Sequence, residues 1–328
     1  MRVPGLAQPF ELTREPGELV LAPVTCRHVE MSHELIGQAA LEVEPGRALI
    51  LGAGACREIP LVALAQRFQT ITLVDQDRPA MDTALASLSE DRAAADASAE
   101  VTTEVRDLTG LTAHLVEGAE SCLLVAQSAE QALELLVDLV GEAQLRIDVP
   151  DGPWDLVIAS CVLTQLHTAA LSAITSRFNH FFPDRQALMA RSPIWTQAML
   201  ELSWRLQRGF MDALLRVSSP SGRIYLSATV QLGMVHRHPD GSWRTPGWHR
   251  TMKQRTLAAN LPDAARPLHG GEWPYVASVP TDDSPGTLFN VHAVIMMREH
   301  DASARPGSQS GEPGGGANDD DTLTTINR

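Results

Sequence analysis

The chain has 328 residues and a formal net charge of −14 at pH 7. This length allows a full hydrophobic core in one elaborated domain or in two. Because nucleic-acid phosphates are bound by clustered Lys and Arg side chains, the acidic balance disfavours a nucleic-acid partner, although it leaves room for a local basic groove.

The four cysteines are scattered and include no CxxC pair, which favours a reducing compartment. The N-terminus lacks the apolar core of a signal peptide, and no run approaches the ~20 apolar residues of a membrane-spanning helix. The sequence therefore predicts a cytoplasmic protein without a membrane partner. No HExxH or comparable ligand spacing is present, so we expect no metal.

Residues 1–44 are predicted to form an N-terminal cover segment that precedes the main domain. Up to about residue 30 the segment bears prolines and is irregular. The stretch from Ser32 to Val43 then carries apolar residues at helical spacing, and Pro45-Gly46 ends it. The main domain is predicted over residues 45–300.

The segment from Ala48 to Asp77 has the pattern of a β-α-β unit. A buried strand, Ala48–Leu51, leads into a Gly-Ala-Gly turn, a helical pattern and a second strand that ends in Asp75. Glycines let a ligand approach the backbone, a helix start offers free N–H groups, and a carboxylate accepts hydrogen bonds from ribose hydroxyls. A cofactor that contains a nucleoside is the natural interpretation.

Strands and helices continue to alternate up to about residue 230, as in a parallel sheet with helices on both faces. The predicted helices are Pro79–Leu88, Ala129–Leu145, Leu163–Phe178 and one that Ser192-Pro193 opens and Val217 ends. The predicted strands are Val101–Val105, Trp154–Ser160 and Arg223–Val230.

In the last third of the chain, strands and helices no longer alternate. Residues 231–271 are predicted to be loops, with a short helical stretch near Thr251–Ala259. The runs Trp273–Val279 and Leu288–Met297 are predicted to pair as an antiparallel hairpin. Residues 301–328 are rich in Gly, Ser, Pro and Asp, which predicts a disordered tail.

Five landmarks between about residues 46 and 230 resemble those of class I S-adenosylmethionine (SAM)-dependent methyltransferases. In chain order they are ALILGAGAC, VDQD, RDL, WDLVIASCVL and LLRVSSPSGRIYLS. The resemblance implies SAM as the cofactor and methyl transfer to an acceptor, which we expect to be a small molecule. It also implies an α/β fold: a Rossmann-like, doubly wound, mostly parallel seven-stranded sheet with a C-terminal antiparallel hairpin and helices on both faces.

The resemblance assigns cofactor-binding roles to residues at the strand ends. Gly52, Ala53 and Gly54 would line the methionine and ribose portion of SAM. Asp75 would hold the ribose hydroxyls, and Asp77 competes for that role because the VDQD landmark offers two acids.

Four later residues complete the cofactor site that the resemblance implies. Asp107 would face the adenine amino group with Leu108 beside it, and Ser160 and Cys161 would lie near the methyl donor. One departure is Cys56, which stands where the family turn often carries a third glycine. That departure keeps a non-catalytic binding protein of methyltransferase fold open as an alternative.

A nicotinamide-dependent oxidoreductase is the other alternative, because an acidic strand end also suits NAD. Its G-x-G-x-x-G motif would need glycine at the position of Arg57. The missing glycine, the DLVIAS strand and the predicted terminal hairpin favour the methyltransferase.

Two histidines are candidate catalytic bases, which are needed only if the acceptor must lose a proton. His167 follows the fourth predicted strand, and His236 lies with His238 in the loop after the fifth. A histidine in a helix wall and a solvated hairpin are the plainer interpretations of these positions. Cys161 is a poor candidate for a nucleophile, because a small buried cysteine is the commoner case.

Residues 231–275 are a candidate lid over the acceptor. Trp243 and Trp248 lie there in a polar loop, where a place in the core is hard to assign. Large aromatic side chains in such a loop could cover a bound substrate.

Overall fold

The structure is a computed structural model of the chain. It describes residues 25–299, except for 96–98, 238–242, 245–247, 255 and 279–283. Residues 1–24 of the predicted cover segment, the predicted tail at 301–328 and His238 lie outside the described residues. Among the described residues, no helix is long and apolar enough to cross a membrane.

Helices and strands alternate along the described chain. The helices are α1 (Thr25–Leu41), α2 (Leu61–Arg67), α3 (Arg78–Ala95), α4 (Thr112–Val125), α5 (Ala129–Glu142), α6 (Thr168–Phe181), α7 (Gln186–Arg191) and α8 (Pro193–Val217). The strands are β1 (Arg47–Leu51), β2 (Thr70–Asp75), β3 (Glu100–Val105), β4 (Trp154–Ala159), β5 (Ser218–Arg237), β6 (Trp243–Arg244), β7 (Trp248–Arg250), β8 (Ala265–Ser278) and β9 (Gly286–Arg298).

The strands form one mixed sheet, and its main path has the order β3-β2-β1-β4-β5-β9-β8. Strands β1 to β5 are parallel along this path, whereas β9 is antiparallel to both β5 and β8. The short strands β6 and β7 pair with the far part of β5. The predicted Rossmann-like fold is confirmed, with seven strands on the main path and an antiparallel C-terminal hairpin.

The centre of the sheet is buried on both faces. In β1, Leu49 and Leu51 belong to a core that α4 to α8 cover, while Ala48 and Ile50 belong to a second core beneath α1, α2 and α3. Burial on both faces explains why this strand is a continuous apolar run. The strand order reverses between β1 and β4, so their carboxyl ends flank the point where such sheets bind ligands.

Some predicted helix boundaries were wrong, and the helices α4 and α7 were not predicted. α1 begins at Thr25, well before the predicted Ser32, and α6 begins at Thr168, after the predicted Leu163. Gly118 lies in α4 where the helix packs on α5. A Cβ there would lie 2.7 Å from a terminal methyl group of Leu139, so a larger residue would require that side chain to move.

The predicted loop at 231–271 is partly strand. β9 lies between β5 and β8 and pairs with both, so β5 continues beyond Val230 and β8 begins at Ala265. The last two residues of β5, up to Arg237, pair with β6. The predicted helical stretch near Thr251–Ala259 was also wrong, since the residues described there, all but 255, form bends and one short 3₁₀ turn, Ala258–Asn260. The pairing of β9 with β5 and β8 joins strands that are distant in sequence, and it leaves little pattern in the local sequence from which the strand ends could be predicted.

Candidate functional site

The glycine turn after β1 has a left-handed backbone at three positions. The φ angles are +65° at Gly52, +47° at Gly54 and +52° at Cys56. A Cβ on Gly52 would also lie 2.6 Å from Val162, which follows β4, so only glycine fits there. Cys56 adopts the conformation in which glycine is usual, and the chain therefore keeps the shape of the turn without a third glycine.

Asp75, at the end of β2, fastens this turn to the sheet. Its Oδ2 accepts a hydrogen bond of 2.8 Å from the backbone N–H of Gly54, and its Oδ1 accepts one of 2.9 Å from the N–H of Asp77. The N–H groups of Gly52 and Ala53 both bond to the carbonyl of Val74. Each carboxylate oxygen has a second lone pair, so Asp75 can hold the turn and still accept hydrogen bonds from a ligand.

Asp77 has a different position. Its Oδ1 accepts a 3.0 Å hydrogen bond from the N–H of Ala80 and so caps the start of α3. Its side chain is exposed and does not line either of the cavities described below. Of the two acids in the VDQD landmark, the structure places Asp75 at the cavity.

Asp107, just after β3, caps α4 while it lines a cavity. Its Oδ1 accepts hydrogen bonds from the backbone N–H and the hydroxyl of Thr109, at 2.9 and 2.6 Å. Its Oδ2 accepts one of 2.8 Å from the N–H of Thr112. Burial acts to raise the pKa of Asp107, but these hydrogen bonds outweigh it and lower the pKa. The group is therefore a fixed anion at neutral pH.

Two cavities of about 300 Å³ each lie over the carboxyl ends of the strands. We call them the Asp75 cavity and the Glu58 cavity. The Asp75 cavity is lined by Asp75, Asp107, Leu108, Thr112, Val162 and residues of α6. The Glu58 cavity is lined by the stretch from Gly52 to Ile59 and by Cys161.

The two cavities share Gly52, Ser160 and Gln165 and so meet at the switch point of the sheet. Together they are lined by all the predicted cofactor-binding residues except Asp77. A ligand with two ends could therefore lie across both cavities and pass over Gly52.

Cys161 is held tightly beside this junction. Its N–H bonds to the carbonyl and the hydroxyl of Ser227 in β5, at 3.1 and 3.0 Å. Burial, together with the nearby Glu58 carboxylate, raises the pKa of its thiol to about 12. The thiol is therefore protonated at neutral pH and a poor nucleophile.

Sequence reasoning missed Glu58 and His28. Glu58 follows the glycine turn, and its Oε2 accepts a 3.0 Å hydrogen bond from the hydroxyl of Ser160. Its Oε1 lies 3.0 Å from Nε2 of His28, a residue of α1 that is 1% exposed. The indole N–H of Trp273, in β8, donates a 2.7 Å hydrogen bond to Nδ1 of His28. The signal for Glu58 in the sequence was a pair of charged residues, Arg57 and Glu58, directly after the small residues of the glycine turn.

The two candidate bases are placed very differently. His167 lies at the N-cap position of α6 beside Leu166 and Thr168, which line the Asp75 cavity. Burial lowers its pKa, and its Nδ1 is buried without a hydrogen-bond partner in the described part of the chain. His236 is exposed on β5, nine residues beyond Ser227 and thus roughly 30 Å along the strand from the junction. This position speaks against His236 as a base.

No protein-family model and no curated protein matches the chain. Among solved structures with a similar chain path is the N-methyltransferase NodS from Bradyrhizobium japonicum, bound to S-adenosyl-L-homocysteine: 9% identity, 83% of this chain, 87% of that one, TM-score 0.36. Another is a SAM-dependent methyltransferase from Clostridium acetobutylicum, with 8% identity over 83% of this chain and 92% of that one and a TM-score of 0.41. A third is an rRNA methylase from Streptococcus thermophilus, with 9% identity over 84% of this chain and 98% of that one and a TM-score of 0.30. At these identities the likeness describes only the course of the chain.

Proposed function

We propose that this chain is a SAM-dependent methyltransferase. The observation that carries the proposal is the Asp75 carboxylate, which holds the glycine turn and lines a cavity at the switch point of the sheet. A carboxylate at the end of the second strand is well suited to bind the two hydroxyls of a ribose. The two joined cavities offer one space for a nucleoside and another for an amino-acid end.

The start of α2 supports SAM over NAD. In dinucleotide-binding folds the pyrophosphate lies on the first turn of the helix that follows the glycine turn. Here α2 begins only at Leu61, after Pro60, which has no N–H. The N–H groups of Ile59 and Leu61 are already bonded to the carbonyls of Cys56 and Ile59, at 3.1 and 2.8 Å. They are therefore not available to a pyrophosphate.

In this proposal adenosine lies in the Asp75 cavity, with its ribose on Asp75 and its base near Asp107 and Leu108. Bound SAM supplies an electrophilic methyl group on a sulfonium, which would lie at the junction beside Gly52 and Ser160. The protein's contribution is alignment of donor and acceptor in a dry site, which can lower a barrier by up to ~7–11 kcal/mol. No catalytic triad is required for such a reaction.

The acceptor is proposed to be a small molecule. The charged residues that line the two cavities are Glu58, Asp75, Asp107, Arg57 and Arg106, so the lining of the cavities has no excess of positive charge. A nucleic-acid acceptor would favour such an excess. Within residues 231–275, the part between β5 and β8 is kept as the proposed acceptor lid, because both strands belong to the sheet. His167 is kept as the proposed base, if one is needed.

Calorimetric titration of the full chain with SAM, S-adenosylhomocysteine and NADH tests the proposal. We expect both adenosyl ligands to bind and NADH not to bind. Binding of NADH alone would show an oxidoreductase-like site and overturn the proposal. If both adenosyl ligands bind but no acceptor class yields methylated product, the chain is a non-catalytic relative.

A further inference from the structure

Four side chains from distant parts of the chain form a linear series of polar contacts that ends at the Glu58 cavity. We call Trp273, His28, Glu58 and Ser160 the Glu58 relay. Successive contacts measure 2.7, 3.0 and 3.0 Å. Trp273 and His28 are almost fully buried, and the ring of Tyr275 stacks on His28 with 4.4 Å between centroids. The relay therefore connects β8 and α1 to the glycine turn.

The bond from Trp273 fixes which nitrogen of His28 carries the ring proton. An indole N–H can only donate, so Nδ1 of His28 must accept. The ring proton then lies on Nε2, which faces Oε1 of Glu58. The distance is that of a hydrogen bond, but the N–H is not well aligned with the oxygen, so we describe the contact as mainly electrostatic.

The proton on Nε2 of His28 disfavours a metal ion bound at the relay. Ligand atoms of His28, Glu58 and Cys161 lie within 4.8 Å of one another, a spacing that could hold a metal ion. However, Nε2 of His28 carries a proton, and the Cys161 thiol, whose pKa burial raises to about 12, carries another. Both atoms would have to lose a proton before they could bind a metal.

Glu58 is instead placed as a fixed negative charge. Its side chain is 30% exposed and lines the Glu58 cavity. No Arg or Lys of the described chain forms an ion pair with it, so its charge is left for a ligand. Burial acts to raise the pKa of Glu58, but the contacts with His28 and Ser160 outweigh it and lower the pKa. A carboxylate that stays ionised is a weak base and a good partner for a cation.

We propose that Glu58 binds the primary ammonium group at the methionine end of the cofactor, and that His28 and Trp273 are positioning residues that aim its carboxylate into the cavity. The inference rests on the proposed function. Since the two cavities meet at Gly52 and Ser160, a ligand with its nucleoside on Asp75 places its other end beside Glu58. Arg57, on the wall of the same cavity, offers a guanidinium to the ligand's carboxylate.

The test compares two ligands that differ only at this end. S-adenosylhomocysteine carries the amino-acid group, whereas 5′-methylthioadenosine keeps the adenosine and the thioether but lacks it. In Glu58→Gln, which keeps the shape and removes the charge, calorimetry should show about tenfold or greater loss of affinity for S-adenosylhomocysteine. Affinity for 5′-methylthioadenosine should be essentially unchanged.

The positioning role is tested with Trp273→Phe, which removes the indole N–H but keeps an aromatic ring. It should weaken S-adenosylhomocysteine binding by about threefold to tenfold, since one hydrogen bond of the relay is lost, and leave 5′-methylthioadenosine binding unchanged. Trp204→Phe is the matched control. The indole nitrogen of Trp204 is buried without a hydrogen-bond partner in the described part of the chain, so neither ligand should be affected.

The outcomes separate the two proposals. Equal weakening of both ligands in Glu58→Gln would mean general disruption of the site and would overturn the ammonium role. Unchanged binding of both ligands to Glu58→Gln would overturn it as well, while the proposed cofactor stands. A wild-type chain that binds neither ligand would instead overturn the proposed function itself.

Discussion

Replacement of Asp75 by alanine should weaken SAM binding by at least about tenfold. In the proposed site the carboxylate accepts hydrogen bonds from two ribose hydroxyls, and bonds to a charged group are worth about 1.5–3 kcal/mol each. The same substitution releases the N–H of Gly54 from its 2.8 Å bond, so the turn also loses order. Calorimetric titration with SAM measures the loss.

Asp77→Ala is the matched control for Asp75. It removes the cap of α3, which should cost about 1 kcal/mol of folding stability, but it should leave SAM affinity unchanged. Asp75→Asn separates the charge from the shape, because the amide oxygen can still accept the Gly54 bond. If Asp77→Ala abolished binding and Asp75→Ala did not, the assignment of the ribose site would be reversed.

Gly52→Ala should destabilise the fold strongly. The left-handed backbone at φ +65° costs a non-glycine residue ~1–2 kcal/mol, and crowding of the new Cβ against Val162 at 2.6 Å adds ~1–3 kcal/mol. The crowded atoms lie at the junction of the two cavities, so ligand affinity should fall as well. Denaturation in urea measures the loss of unfolding free energy.

Gly54→Ala is the control for the crowding term. Gly54 has a similar φ of +47°, but a Cβ there would meet nothing within 4 Å, so only the backbone cost of ~1–2 kcal/mol remains. The double variant Gly52→Ala with Val162→Ala should recover part of the loss, because it removes the obstructing methyl groups. Equal destabilisation by the two single variants would contradict this explanation.

The residues that line the two cavities could largely be predicted from sequence, because they lie at strand ends. A buried strand, a glycine turn and an acid after the next strand give a local pattern, and parallel pairing then brings Gly52 and Asp75 together. Parallel pairing of β1 with β4 likewise brings Ser160, which follows β4, to the same edge of the sheet. The structure was needed to show that Asp75 lines the cavity while Asp77 caps α3.

The Glu58 relay could not be predicted, because its contacts cross large sequence separations. His28 meets Trp273 across 245 positions, and Ser160 meets Glu58 across 102. The segment that contains α1 was predicted only to cover the main domain, because nothing in the sequence near His28 indicates that it contacts Trp273. Likewise, β5 was predicted to end near Val230, whereas pairing with β9 extends it to Val235 and pairing with β6 extends it to Arg237.

A crystal structure of the chain with bound S-adenosylhomocysteine tests the central claim most directly. The account predicts both ribose hydroxyls within hydrogen-bond distance of the Asp75 carboxylate and the adenine beside Asp107 and Leu108. It also predicts the thioether sulfur at the junction beside Gly52 and Ser160. A ligand bound elsewhere, or in the cavity with its ribose away from Asp75, would contradict the account.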